Sequence, residues 1–214
     1  MMSNESIMVS KFEDALLSMN RISASKMIAG EFTGNNAFEL ISETISPALE
    51  RIGYKWESGE IALSQEYMAC KICEEIVETI LPANSSERKD MPVIGITTLG
   101  DEHMLGKRIV SSFLRANGFN IHDYGDMGPE NVSQKVKEDG VEVLMASTLM
   151  LNLAYEVKKL RMIFDREGIK TKIIVGGAPF LFDRDLWEEV GADAMAVDAM
   201  ESVNKVYEVL EVSQ

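Results

Sequence analysis

A chain of 214 residues, 46% hydrophobic and 26% charged, has room for two modest domains or one large one, with a core in each. Its 21 Lys and Arg against 35 Asp and Glu leave a formal charge of −14, which repels phosphate backbones and anionic membranes and argues against nucleic acid as a partner. No apolar run approaches the roughly 20 residues that span a bilayer, and the opening Met1-Met2-Ser3-Asn4-Glu5 lacks the basic and apolar regions of a signal peptide, so a cytoplasmic protein with no membrane partner is expected.

Residues 8–81 carry apolar side chains at helical spacing: Phe12, Ala15, Leu16 and Met19, then Met27 and Ile28, then Phe38, Ile41, Ile45 and Leu49, then a run from Ile61 to Ile80. The pattern predicts four or five helices packed as a bundle, over residues 1–82. Breaks are expected at residues 30–36, at Gly53 and at Ser58-Gly59, and Pro47 is expected to kink the third helix or mark a short one. Cys70 and Cys73 share a C-x-x-C spacing inside a helical pattern. A zinc site needs about four ligands, so the pair reads as two small buried residues. Residues 83–90 continue a polar, aperiodic stretch that begins at Pro82, and read as a linker.

From residue 91 to residue 214 the pattern changes. Short β-prone runs at 93–99, 120–124, 143–147, 172–176 and 194–197 alternate with helix-patterned stretches. Such alternation predicts an α/β domain, a five-stranded parallel sheet of Rossmann-like, flavodoxin-like type with helices on both faces. Ligands of these sheets sit at the carboxyl ends of the strands, where chain order reverses. Three predicted strand ends carry unusual residues. After the first come Gly100, Asp101, Glu102, His103, Met104, Leu105 and Gly106, leading into a helix expected over residues 107–117. After the third come Ser147, Thr148, Leu149 and Met150, and after the fourth Gly176 and Gly177. A histidine at a strand mouth with a carboxylate two residues away is suited to act as a ligand. Gly176-Gly177 is not G-x-G-x-x-G and no P-loop is present, which disfavours a nucleotide enzyme.

The sequence D-x-H-x-x-G, then S-x-L, then G-G, in that order at successive strand ends, resembles the cobalamin-binding fold of corrinoid proteins in methyl-transferring systems. Gly100, Lys107 and Val110 fit the pattern around the motif. Residues 191–199 resemble the family's last strand and turn, and residues 45–82 resemble its helical cap. The resemblance implies cobalamin as cofactor, with methylcobalamin as the working form and the dimethylbenzimidazole off the cobalt. It makes His103 the lower axial ligand and Asp101 the acceptor for its other ring nitrogen, a device that fixes the tautomer. Glu102, Met104 and Leu105 complete the loop, and Gly106 lets the backbone pass close to the nucleotide tail. Ser147 would hydrogen-bond the benzimidazole, Leu149 would pack on it, and Gly176 and Gly177 would form a wall without side chains.

Two departures stand out. Leu151 and Leu153 occupy places where relatives often carry hydroxyls, which shortens the polar relay beyond Asp101. Trp56, with Glu66 and Tyr67 ten and eleven residues on, resembles the W-x9-E-H element of cobalamin photoreceptors with Tyr for His; these aromatics are read either as cover for the upper cobalt face or as core of the bundle. The resemblance places no catalytic residue in this chain. It implies a methyl shuttle of a methanol, methylamine or O-demethylase system. Its partners would be a substrate-specific methyltransferase, a second methyltransferase using tetrahydrofolate or a thiol carrier, and a reductive activase. A cobalamin-responsive sensor and the small subunit of an adenosylcobalamin mutase are the alternatives.

Overall fold

A computed structural model describes residues 4–82, 91–102 and 104–211. They fall into two compact units, one within Met1–Asp90 and Ser112–Phe119, the other within Met91–Ser111 and Asn120–Gln214. The linker expected at residues 83–90 lies outside the described residues.

The first unit is helical: α1 (Asn4–Leu17), α2 (Arg21–Glu31), α3 (Ala37–Leu40), a π-helical turn (Ile41–Ile45), α4 (Ser46–Glu57) and α5 (Leu63–Ile80). Met19 turns the chain through a left-handed conformation, φ 55°, and Asn20 then caps α2 by accepting the Ser23 amide at 3.1 Å. Most of the periodic residues form the core, with Phe12, Leu16, Ile28, Ile45, Leu49 and Ile72 buried, whereas Met19, in the turn after α1, is half exposed. Glu13 is buried among them and paired to Lys55 at 2.5 Å and Arg51 at 3.7 Å, which offsets the cost of desolvating its carboxylate. Cys70 and Cys73 are free and buried, and burial pushes both thiols up, away from reactivity.

Gly53 does not break a helix, which corrects the sequence reading: it is buried inside α4. Pro47 coincides with a local change in helical bonding. It stands in the first turn of α4, and the preceding turn widens so that Ser46 N bonds Ile41 O, five residues back. The widened turn lies where the proline ring would otherwise press on the Glu43 carbonyl.

The second unit is a five-stranded parallel sheet of β1 (Val93–Thr97), β2 (Asn120–Asp123), β3 (Val143–Ser147), β4 (Lys172–Gly176) and β5 (Ala194–Met195). Strand order is β2-β1-β3-β4-β5, the flavodoxin-like arrangement, so chain order reverses between β1 and β3. Connections run through α6 (Leu105–Ala116), α7 (Pro129–Glu138), α8 (Leu151–Ala154), α9 (Glu156–Glu167), α10 (Ala178–Phe182) and α11 (Leu186–Glu189), with α12 (Ala199–Leu210) closing the chain. Continuous burial of β3 from Val143 to Ala146 explains its unbroken apolar sequence, since both faces are covered. At α12, Asp198 Oδ1 accepts the Glu201 amide and Glu201 Oε2 accepts the Val197 amide, both at 2.7 Å. Among the described residues no helix is long and apolar enough to cross a membrane.

Strand and helix limits differ from the sequence reading where the chain turns early. β1 stops at Thr97 because Leu99 and Gly100 adopt φ of 52° and 92°, which carries the chain off the sheet. α6 starts at Leu105, two residues before the expected Lys107, and β5 pairs over two residues only.

Tyr124 packs beneath Gly95 of β1, and its hydroxyl donates to Asp139 Oδ2 at 2.8 Å. Burial first, and Asp139 second, push the phenol well above its usual range. A Cβ on Gly95 would lie 2.8 Å from Tyr124 Cε2 and 3.1 Å from Leu144 Cδ1. Gly95→Ala is expected to cost about 1–3 kcal/mol, as other overpacked cores do, read as a lower urea midpoint at unchanged slope.

Candidate functional site

The loop after β1 is built by its own backbone. Thr98 N donates to Gly125 O at 3.1 Å, Leu99 N to Thr97 Oγ1 at 3.3 Å, and Asp101 N to Thr98 O at 3.2 Å, which folds residues 97–101 into a tight turn. This turn buries Asp101 to 1% exposure. Its Oδ2 accepts the amides of Leu149 at 2.7 Å and Met150 at 3.3 Å, so the β1 exit is fastened to the β3 exit at the point where chain order reverses. A carboxylate so held is fixed in place, and the amides compensate its burial.

Of the other loop residues, Glu102 is exposed, Met104 is half-buried with its Sδ accepting Thr98 Oγ1 at 3.8 Å, and Leu105 is exposed. His103 lies outside the described residues. Gly106 stands in the first turn of α6, facing Ser147: among the described residues a Cβ there would meet Ser147 Oγ alone, at 3.4 Å. Ser147 is in turn the register partner of Gly176. Gly106, Ser147 and Gly176, distant in sequence, therefore converge at the carboxyl ends of β3 and β4. At Gly176 a Cβ would stand 3.1 Å from the Ala196 carbonyl oxygen. Gly177 has φ +110° and faces the Thr148 backbone.

Leu149 and Leu151 are exposed and Leu153 is half-buried, its Cδ2 3.9 Å from where a Gly100 Cβ would be. Trp56 and Tyr67 belong to the helical unit, half-buried near the end of α4 and in the second turn of α5.

Two residues of this crest were named in the sequence reading but given no role there. Thr148 is 2% exposed, and its Oγ1 has no hydrogen-bond partner among the described residues. Lys107 is buried and paired to Asp123. A polar residue continuing the apolar run of β3 was a faint signal for the first; pairing across the sheet left none for the second.

The resemblance implies cobalamin, whose nucleotide tail carries the flat dimethylbenzimidazole. Among the described residues, the open approach to Gly106 beside a hydroxyl, the glycine at Gly176, the Ser147 hydroxyl, a buried unsatisfied Thr148 hydroxyl and the apolar Leu149 suit a flat heteroaromatic group with a few polar atoms. The residues present fit the group.

Comparison with known proteins agrees. The family described as "B12 binding domain" matches residues 91–205, and a second family of the same description matches residues 9–81. Monomethylamine corrinoid protein 1 of Methanosarcina barkeri is 32% identical, with 98% of this chain and 100% of the relative covered. Dimethylamine corrinoid protein 1 of Methanosarcina mazei is 31% identical over 80% of this chain and 82% of the relative. A cobalamin-binding protein from Desulfitobacterium hafniense shares the fold with a TM-score of 0.77 at 22% identity, covering 94% of this chain and 98% of that one. The chain belongs to the B12-binding corrinoid protein family, and its cofactor is cobalamin.

Proposed function

We propose that this chain is the methyl-carrying corrinoid subunit of a methyltransferase system whose donor is a methylated amine, rather than a complete enzyme. A substrate-specific methyltransferase would load the methyl group, and a second methyltransferase would pass it to tetrahydrofolate or a thiol carrier. A reductive activase would restore the cobalt after adventitious oxidation. The observation that supports this reading best is Asp101, buried at the switch point, fastened to the Leu149 and Met150 amides and two residues from His103.

When bound, cobalamin supplies a cobalt centre that accepts and releases a methyl group. The protein's part is to hold, orient and shield. His103 would ligate the cobalt, with Asp101 fixing its ring. Gly106 and Gly176 would leave room for the nucleotide tail, Ser147 would hydrogen-bond it, and Leu149 would give its ring an apolar contact. Residues 1–82 would act as a cap domain, with Trp56 and Tyr67 contributing to cofactor binding, residues 83–90 as the linker and residues 91–214 as the cofactor domain. The names of the relatives, monomethylamine and dimethylamine corrinoid proteins, favour an amine as donor.

Electron paramagnetic resonance of the cob(II)alamin holoprotein tests the ligand assignment, with the protein grown on ordinary and on heavy nitrogen and the cofactor unlabelled. The expected result is a triplet splitting that becomes a doublet when the protein is labelled and vanishes in His103→Ala. A triplet indifferent to protein label would assign the lower ligand to the benzimidazole and end the His-on reading.

A further inference from the structure

We propose that Lys107 and Asp123 form a latch that positions the loop carrying the cobalt ligand; this rests on His103 being that ligand. The Lys107 side chain is 2% exposed although it stands in the first turn of α6. A cation there is doubly unfavourable, since lysine is almost never buried unless paired and the amino end of a helix repels positive charge. Its ammonium is paired to Asp123 Oδ1, at the end of β2. The same oxygen accepts the Gly125 amide at 2.8 Å.

Gly125 in turn holds the other end of the loop. Its carbonyl accepts the Thr98 amide at 3.1 Å, the Thr97 hydroxyl at 3.3 Å and the Thr98 hydroxyl at 3.5 Å. The chain therefore leaves the sheet at Thr98 on one side of the loop and carries Lys107 in the first turn of α6 on the other, with both flanks tied to one short turn, residues 123–125. Fixing both ends of a loop removes most of the conformations available between them. Among the described residues the loop is fastened at Thr98, at Asp101, through the Leu149 and Met150 amides, and at Lys107, where the fastening is an ion pair. The latch makes Lys107 a positioning residue: it acts on cobalt through the loop and does not touch it.

A merely structural ion pair would affect stability or cofactor affinity and leave the ligation of the bound cofactor unchanged, so ligation is the quantity to read. Full-length Lys107→Met and Asp123→Asn would be labelled with heavy nitrogen, loaded with cobalamin, reduced to the cob(II) state and compared with wild type by paramagnetic resonance. Far-ultraviolet circular dichroism would check folding. The expected result is a fall of about tenfold in the ratio of protein-ligated to unligated cobalt among bound cofactor, the scale seen when the residues that hold a metal ligand are removed. Asp123 is 37% exposed and its asparagine variant keeps an oxygen for the Gly125 amide, so Asp123→Asn decides the matter if Lys107→Met does not fold. Wild-type ligation in the folded variants, even with weaker cofactor binding, overturns the latch alone. Absence of a protein nitrogen on cobalt in wild type overturns the assignment of His103 and the latch with it.

Discussion

Gly177→Ala is expected to destabilise the α/β unit by at least about 4 kcal/mol, a loss of the size reserved for backbone clash in a rigid place. An added Cβ would stand 1.9 Å from the Thr148 carbonyl oxygen, 3.0 Å from its carbonyl carbon and 3.3 Å from its nitrogen. All three are main-chain atoms of the β3 exit, so no side chain can rotate out of the way. Retreat of the chain would break the Thr148 N to Gly176 O bond of 3.0 Å and disturb the Phe180 N to Gly177 O bond of 3.2 Å that opens α10. The φ of +110° adds strain for any residue with a side chain. Urea unfolding of the apo-protein measures this, with an insoluble product or a greatly lowered midpoint expected. An alanine variant with a wild-type midpoint would mean that the β3 and β4 exits shift freely. Gly106 differs in kind, because among the described residues the neighbour a Cβ would meet is the movable Ser147 hydroxyl: glycine at 177 is demanded by the fold, glycine at 106 leaves space.

Asp101→Ala is expected to cost the apo-protein about 3 kcal/mol, because it strands two amide donors, Leu149 N and Met150 N, each worth roughly 1–3 kcal/mol when left unsatisfied. Asp101→Asn keeps one oxygen to accept them and is expected to lose about half as much. Measuring both by denaturant unfolding without cofactor separates this cost from any effect on cobalt. Losses below about 0.5 kcal/mol for both variants would show that the amides find other acceptors and that the carboxylate is not holding the two exits together. The comparison also guards against a misreading: weak cofactor binding in an Asp101 variant has a structural source as well as an electronic one.

Much of the fold was legible because burial on both faces of a parallel sheet demands long apolar runs, and β3 and β4 match the runs read at residues 143–147 and 172–176. Strand ends were less legible where backbone conformation overrides side-chain preference. Thr98 and Leu99 are β-prone, yet Leu99 takes φ 52° because the turn to Asp101 requires it. Gly53 misled for a different reason, since glycine marks a break in water but stays helical where it is buried, as inside α4. At the crest, Gly106, Ser147 and Gly176 could be placed together from strand order alone. Lys107 and Thr148 could not, because pairing to Asp123 and a hydroxyl without a partner are properties of tertiary neighbours.

The π-helical turn at Ile41–Ile45 has a consequence for how this chain tolerates changes of length. Buried positions on this continuous helix recur every four residues, at Ala37, Ile41, Ile45, Leu49 and Gly53. In a plain α-helix each such step overshoots a full turn by about 40°, so four steps would carry the stripe about 160° around the axis. One surplus residue absorbed by the wide turn gives back about 100°, and the stripe stays within a single face. Deleting one residue from that turn would restore ordinary bonding and leave residues 48–53 in the same phase. The same deletion anywhere else in α4 would rotate every later core position by about 100°.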